Sequence, residues 1–93
     1  FRSTAYSDKE TNGSGREEPL VFTVDYGNAR IFHTMLGHAG ATTEDNIAMQ
    51  CTGFQVLLLR GAEWAATGKV TQKVPKDFPT ETTCSYRKDY KEN

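Results

Sequence analysis

The sequence predicts an α+β protein, in which a short β-sheet that includes a β-hairpin packs against one long C-terminal helix and an extended tail follows. Two observations lead to this prediction. Residues 20–35 are rich in β-branched and aromatic side chains and are interrupted by Gly27-Asn28, which is typical of a hairpin. Residues 53–67 carry apolar side chains at helical spacing and are followed by Gly68, a residue that commonly ends helices.

The chain has 93 residues, which is enough for one small core. We expect a single partial domain over residues 1–71 and an extended or disordered tail over residues 72–93, because the tail is rich in Thr, Pro and charged side chains. The 11 Lys and Arg residues nearly balance the 12 Asp and Glu residues, and they are scattered, so nucleic acid is not an expected partner. No apolar run approaches the roughly 20 residues that cross a bilayer, and the N-terminus lacks a signal-peptide pattern. We therefore expect a cytoplasmic protein without a membrane partner.

The β-rich half is predicted in three parts. Residues 1–7 form a short strand, and residues 8–18 form a polar loop that contains glycine. The hairpin has strands over 20–26 and 29–35, joined by Gly27-Asn28, which tolerate positive φ. Apolar side chains alternate onto both faces of this hairpin, so we expect it to be covered on two sides.

One helix is predicted after the hairpin, from the cap-forming cluster at 42–46 to about Thr67, with Gly68 ending it. At 100° per residue, its apolar side gathers Phe54, Leu57, Leu58, Gly61, Trp64 and Ala65. Val56 and Leu59, however, fall within the polar arc. A second surface must cover these two side chains, so Val56 and Leu59 are candidate interface residues for self-association into a homodimer or a higher oligomer.

Three runs resemble the C-terminal part of ThuA-like (trehalose utilisation) domains: FTVDYGNARIFHTMLGH at 22–38, GFQVLLLRGAEWAATGKV at 53–70 and VPKDFP at 74–79. The resemblance covers about residues 5–79. It implies the α/β, flavodoxin-type fold of the class I glutamine amidotransferase-like proteins, with this chain as the C-terminal third of a whole domain and therefore an α+β fragment of it. The family usually reads Tyr-Gly-Lys-Gly-Arg at the hairpin, whereas Asn28 and Ala29 replace the Lys and the second Gly here.

The same resemblance points to His38 as a site residue. In amidotransferase relatives, a His after the corresponding strand acts as the base for a Cys nucleophile. The resemblance therefore makes His38 the catalytic candidate, and it makes Gly37 and His38 candidate ligand-binding residues with a carbohydrate as the ligand. The alternative is a loop histidine with local hydrogen bonds, because the chain offers His38 no partner nucleophile.

The remaining reactive side chains are predicted to be structural. We expect Cys51 to be a small buried hydrophobic residue and His33 to be packed in the core. Asp25 and Glu63 are either an acid–base pair or two solvated carboxylates, and Arg30 is expected at the sheet edge or in a salt bridge. No spacing matches a metal motif or a phosphate loop, so no cofactor and no metal are predicted.

Two functions follow from these observations. The first is a ThuA-like domain fragment, related to carbohydrate metabolism and not catalytic by itself. The second is a small non-catalytic module that oligomerises through the helix surface at Val56 and Leu59 or through the hairpin edge. Catalysis by this chain alone is disfavoured because it contains no credible nucleophile–base pair.

Overall fold

The computed structural model describes residues 2–4, 12–42 and 46–87. The elements in chain order are β1 (Arg2–Thr4), β2 (Glu17–Pro19), β3 (Val21–Tyr26), β4 (Ala29–Thr34), α1 (Ile47–Gln50) and α2 (Thr52–Thr67). The predicted α+β class, with a hairpin and a long C-terminal helix, is confirmed. Parts of the predicted first strand, polar loop, helix-cap cluster and tail lie outside the described residues.

The hairpin consists of β3 and β4 in antiparallel pairing, with Tyr26 opposite Ala29 and Phe22 opposite His33. Gly27 has a φ of 57° whereas Asn28 does not have a positive φ, which is the pattern of a type II′ turn. The turn glycine therefore closes a two-residue loop whose twist matches the strands, as the sequence predicts. Elsewhere, β1 pairs with β2, which places Glu17 and Glu18 in a strand rather than in the predicted loop.

The predicted single helix is wrong at its N-terminal end, because Cys51 interrupts it. Cys51 has extended backbone angles, with φ −62° and ψ 121°, and it separates the short α1 from α2. Beside the break, the Thr52 amide donates to the Ser85 carbonyl over 3.0 Å and the Arg87 amide donates to the Gln50 carbonyl over 2.9 Å. A distant backbone segment thus satisfies helix-terminal groups that otherwise lack partners.

The C-terminal end of α2 is confirmed at Gly68, which has φ 76° and donates its amide to the Trp64 carbonyl. Arg30 of β4 completes this end. Its Nε lies 3.1 Å from the Trp64 carbonyl oxygen and 3.3 Å from that of Ala65, and its Nη2 lies 3.2 Å from that of Ala66. Arg30 therefore lies on an edge strand, as expected, and acts as a helix cap that places a cation at the negative end of the helix dipole. It forms no salt bridge within the described residues.

The hairpin packs on α2 through the side chains that alternate inward along β4. Arg30, Phe32 and Thr34 are partly buried, whereas Ile31 and His33 between them are exposed. A Cβ atom at Gly61 would overlap the ring of Phe32, so the absence of a side chain lets the strand approach the helix closely. This contact fixes which hairpin face is turned towards the helix.

Residues 69–87, here called the return segment, run back along the other side of α2. The Arg60 guanidinium donates to the Gln72 carbonyl, and Gln72 Nε2 donates to the Leu59 carbonyl over 3.3 Å. Near the start of the helix, Pro79 Cγ lies 3.1 Å from where a Cβ of Gly53 would be. The return segment has no helix or strand beyond a bridge between Tyr86 and Cys51, yet it is hydrogen bonded to α2 near both of its ends, through Thr71 and Gln72 and through Ser85.

Val56 is consequently buried, with 6% of its surface exposed. At helical spacing it lies on the same side of α2 as Arg60 and Glu63, the two residues that hold the return segment. The second surface that the sequence requires over Val56 is therefore supplied within the chain, on the side of α2 that holds the return segment. Leu59 remains 53% exposed, and Leu58, which was expected in the core, is 41% exposed.

No helix in the described part of the chain is long and apolar enough to cross a membrane.

We predict that Gly61→Ala destabilises the protein by about 1–3 kcal/mol, because the added methyl group overpacks the contact with Phe32. On helix propensity alone, the same change would stabilise the helix by about 1 kcal/mol. Urea unfolding of both variants measures the effect. Gly53→Ala is the matched control, since its Cβ would lie 3.1 Å from a proline ring atom and needs only a small adjustment. An unchanged or higher stability of Gly61→Ala would contradict the close approach.

Candidate functional site

The side of the hairpin that faces away from α2 is apolar and exposed. We call it the outer face, and it consists of Phe22, Val24, Tyr26, Ile31, His33 and Met35. Ile31 is 46%, Met35 66% and Tyr26 77% exposed. None of these positions holds Asp, Glu, Lys or Arg. An antiparallel sheet with one solvated face normally shows polar residues there, so this face has the composition of a surface that is covered.

His33 lies on the outer face and not in the core, so the prediction of a packed core histidine is wrong. Its ring stacks on the ring of Phe22, the residue opposite it in the register, with centroids 4.6 Å apart and planes 25° apart. Ile31 and Met35 flank it along the same face of the chain. His33 is exposed because Phe32 takes the inward position on β4, and successive side chains of a strand point to opposite faces.

The helix also shows an uncharged exposed surface. We call it the helix strip, and it consists of Leu58, Leu59, Ala62 and Ala66. These residues fall on one side of α2 at helical spacing, between the face that contacts the hairpin and the face that holds the return segment. Leu59 is therefore available as a contact residue, whereas Val56 is not.

A groove of about 790 Å³ opens between the two helices and the return segment. Its lining residues come from the turn after β4, from both helices and from the return segment: Leu36, Gly37, Ile47, Ala48, Cys51, Gly53, Phe54, Leu57, Phe78, Pro79, Thr80, Glu81 and Tyr86. The lining is predominantly apolar, and the return segment contributes Thr80, Glu81 and Tyr86 to it. Its volume is in the range of small-molecule sites.

Gly37 is a structural requirement of this groove. It has φ 103°, a conformation that other residues rarely adopt, and a Cβ atom there would lie 2.5 Å from Phe54 Cε2. The turn after β4 can thus press against the start of α2 only with glycine at this position. Gly37 therefore lies in a groove wall, as a ligand-binding candidate should.

His38, the next residue, is exposed beside the groove and is not among its lining residues. In the part of the chain that the structure describes, its imidazole takes part in no hydrogen bond or ion pair. The local hydrogen bond that the alternative interpretation requires is thus not seen among these residues. His38 has the exposure that a ligand-contacting residue needs.

The other reactive groups are dispersed. Cys51 is partly buried in the groove wall and Cys84 is exposed. Glu63 does not act with Asp25 but accepts hydrogen bonds from the return segment: from the Thr71 amide over 2.8 Å, from the Thr71 hydroxyl, and from the Gln72 amide over 3.3 Å. Within the described residues, no cluster of three or more His, Cys, Asp or Glu side chains could hold a metal ion.

These hydrogen bonds lower the pKa of Glu63 below its usual value of 4.5, with the Thr71 hydroxyl contributing most and the Thr71 amide next. Because the charged carboxylate is the form that accepts them, the contacts that hold the start of the return segment depend on pH. The sequence does not reveal this role, because Thr71 and Gln72 lie beyond the end of the helix that carries Glu63.

Comparison with models of known protein families gave no match, and none of the curated proteins compared with the chain is similar enough to be a relative. The ThuA-like assignment therefore stays a prediction from the sequence resemblance.

We predict that Glu63→Gln reduces the loss of stability in acid. A carboxylate with a lowered pKa in the folded state stabilises the protein above its unfolded-state pKa, and this contribution disappears as the pH falls through the folded-state value. Urea unfolding midpoints at pH 7 and pH 3.5 should therefore differ less in Glu63→Gln than in the unmodified protein. Glu81→Gln is the matched control, because it removes an exposed carboxylate of the return segment that accepts no hydrogen bond in the described region. An equal pH dependence in all three proteins would contradict this role of Glu63.

Proposed function

We propose that this chain is a non-catalytic association module that forms a homodimer through the outer face of its hairpin. The exposed, uncharged outer face carries the proposal. A two-stranded hairpin is marginal in water by itself. This hairpin gains one covered side from α2, and a second copy would provide the other, in accordance with the two-sided covering that its sequence predicts.

A second copy suits this face because of its composition. A uniformly apolar face without charges is complementary to itself, and two-fold symmetry brings the same patch of each subunit together.

Face-to-face packing of two hairpins gives the dimer a simple architecture. Two sheets packed in this way lie about 10 Å apart with their side chains interdigitated. The helices would then form the outer layers, and the return segments would stay accessible. In this arrangement the helix strip with Leu59 is a separate surface, available for higher association.

The resemblance to ThuA-like domains supports the same proposal. In such a domain, the hairpin and helix would be part of a larger layered α/β structure in which both outer surfaces are packed. We propose that this chain has the build of the C-terminal part of a ThuA-like domain, related to carbohydrate metabolism, and that pairing of copies covers its apolar face. The cytoplasmic location stays a prediction.

We predict that the protein is a dimer at tens of micromolar and that Ile31→Asp weakens dimerisation at least 100-fold. Two-fold symmetry would bury two unpaired carboxylates in the interface, and each costs several kcal/mol. Sedimentation equilibrium measures the dissociation constant, and circular dichroism checks that each variant is folded.

Asn28→Asp is the matched control, since it adds the same charge at the exposed hairpin turn, outside the outer face. Leu59→Asp tests the helix strip: dissociation by this change, with no effect of Ile31→Asp, would move the interface to α2. A folded monomer at all concentrations up to 1 mM would refute the proposed function.

A second candidate function is carbohydrate binding at the groove, with Gly37 in its wall and His38 at its margin. The observation that favours it is the placement of both resemblance-derived residues beside a groove that contains three aromatic rings, Phe54, Phe78 and Tyr86. Aromatic rings supply apolar surfaces, and an exposed imidazole supplies a hydrogen-bonding group for a sugar hydroxyl.

We predict that His38→Ala lowers the affinity for trehalose or glucose at least tenfold, because it removes this hydrogen-bonding group. Isothermal titration measures the affinity. Asn28→Ala is the control, since it lies at the hairpin turn and should leave sugar binding unchanged. Equal affinities for the unmodified protein and His38→Ala would exclude His38 from the site, and no detectable binding by the unmodified protein would reject this second function.

A further inference from the structure

His33 is the histidine of the outer face, and histidine is the residue type whose ordinary charge change lies between pH 5 and 8. It stands opposite Phe22 in the hairpin register and stacks on its ring, between Ile31 and Met35. In a face-to-face dimer, the imidazoles of both copies would lie in the apolar interface. A group at this place is accessible to water in the monomer and removed from it in the dimer.

We propose that protonation of His33 dissociates the homodimer, so that the chain associates at neutral pH and separates in mild acid. This inference rests on the proposed function, because it concerns the same interface. The neutral imidazole is a flat ring of low polarity that fits against Phe22 and an apolar partner. The imidazolium must lose its water to enter the same position, which disfavours the dimer.

Among the described residues, the outer face offers the imidazolium no compensating charge, because its other members are Phe22, Val24, Tyr26, Ile31 and Met35. Asp25 and Arg30 lie opposite each other on the other face of the hairpin, the face that is turned towards α2. Arg30 is hydrogen bonded to the C-terminal carbonyls of α2. A second copy contributes the same residues, so its outer face brings no carboxylate either.

The stack on Phe22 does not alter this conclusion. A protonated histidine above an aromatic ring gains a cation–π attraction of about 0.5–1 kcal/mol at an exposed site. Phe22 and His33 belong to one chain, however, so this attraction is available to the monomer as well as to the dimer. The difference between the two states is therefore the loss of water around the charged ring.

The size of the effect follows from proton linkage. Histidines ordinarily gain a proton below about pH 6.5, and a dimer has two copies of His33. If the dimer excludes both protons, its dissociation constant rises up to about 100-fold per pH unit well below that value. Between pH 7.5 and pH 5.5 we expect an increase of about 100-fold. Association is lost as the pH falls, because the separated chains bind more protons than the dimer.

Sedimentation velocity at pH 7.5 and 5.5, at equal ionic strength and over a range of concentrations, tests the proposal. We expect the unmodified protein to show the 100-fold weakening, and His33→Gln to show less than a threefold change, because its side chain stays neutral. The chain contains two histidines. The double variant His33→Gln/Asn28→His keeps that number but moves one histidine to the exposed turn, and we expect its dimer to be equally independent of pH.

The outcomes separate the two proposals. A dimer of the unmodified protein with the same dissociation constant at both pH values would overturn the His33 switch and leave the proposed function intact. Full pH dependence of the His33→Gln dimer would also overturn the His33 switch and leave the proposed function intact. A monomer at pH 7.5 would overturn the proposed function and the switch together. Circular dichroism at pH 5.5 must show a folded chain, so that dissociation is not confused with acid unfolding.

Discussion

The close approach of Phe32 to Gly61 is the contact on which the rest of the arrangement depends. It seats β4 against the middle of α2, and it turns Arg30, two residues along the strand, towards the helix end that it caps. By alternation it also turns Ile31 and His33 away from the helix. One missing side chain therefore determines both how the helix ends and which hairpin face is left for a partner.

The second constraint is the smallness of the core. Val56 is the one large apolar side chain among the described residues that is buried, and it lies on the side of α2 that holds a segment without helix or strand of its own. Hydrogen bonds to Glu63, to Arg60 and to the break at Cys51 hold that segment in place. The same segment forms one wall of the groove, so enclosure of the core and shape of the groove depend on the same contacts.

These constraints explain why association is the function that the geometry supports best. A core this small leaves apolar surface on both outer sides of the hairpin–helix layer, and covering such surface is the main favourable term in protein association. Reactive groups, by contrast, are dispersed: His38 is exposed beside the groove, while Glu63 is engaged with the return segment. In the proposed dimer, a histidine on an otherwise apolar face would make association sensitive to pH.

The sequence by itself determined the elements whose cause is local. Glycine at positions 27 and 68 supplies the positive φ that a tight hairpin turn and a helix end require, and the hairpin and the end of α2 are where the sequence predicts them. The resemblance singled out Gly37 and His38, and in the structure Gly37 lies in the groove wall and His38 lies beside it. Only the tertiary structure decided the break at Cys51, the burial of Val56 and the exposure of His33. The break depends on the hydrogen bond to Ser85, the burial of Val56 on the return segment, and the exposure of His33 on the packing of Phe32 against Gly61. These are contacts between residues far apart in the chain, and the periodicity of a single helix or strand does not reveal them.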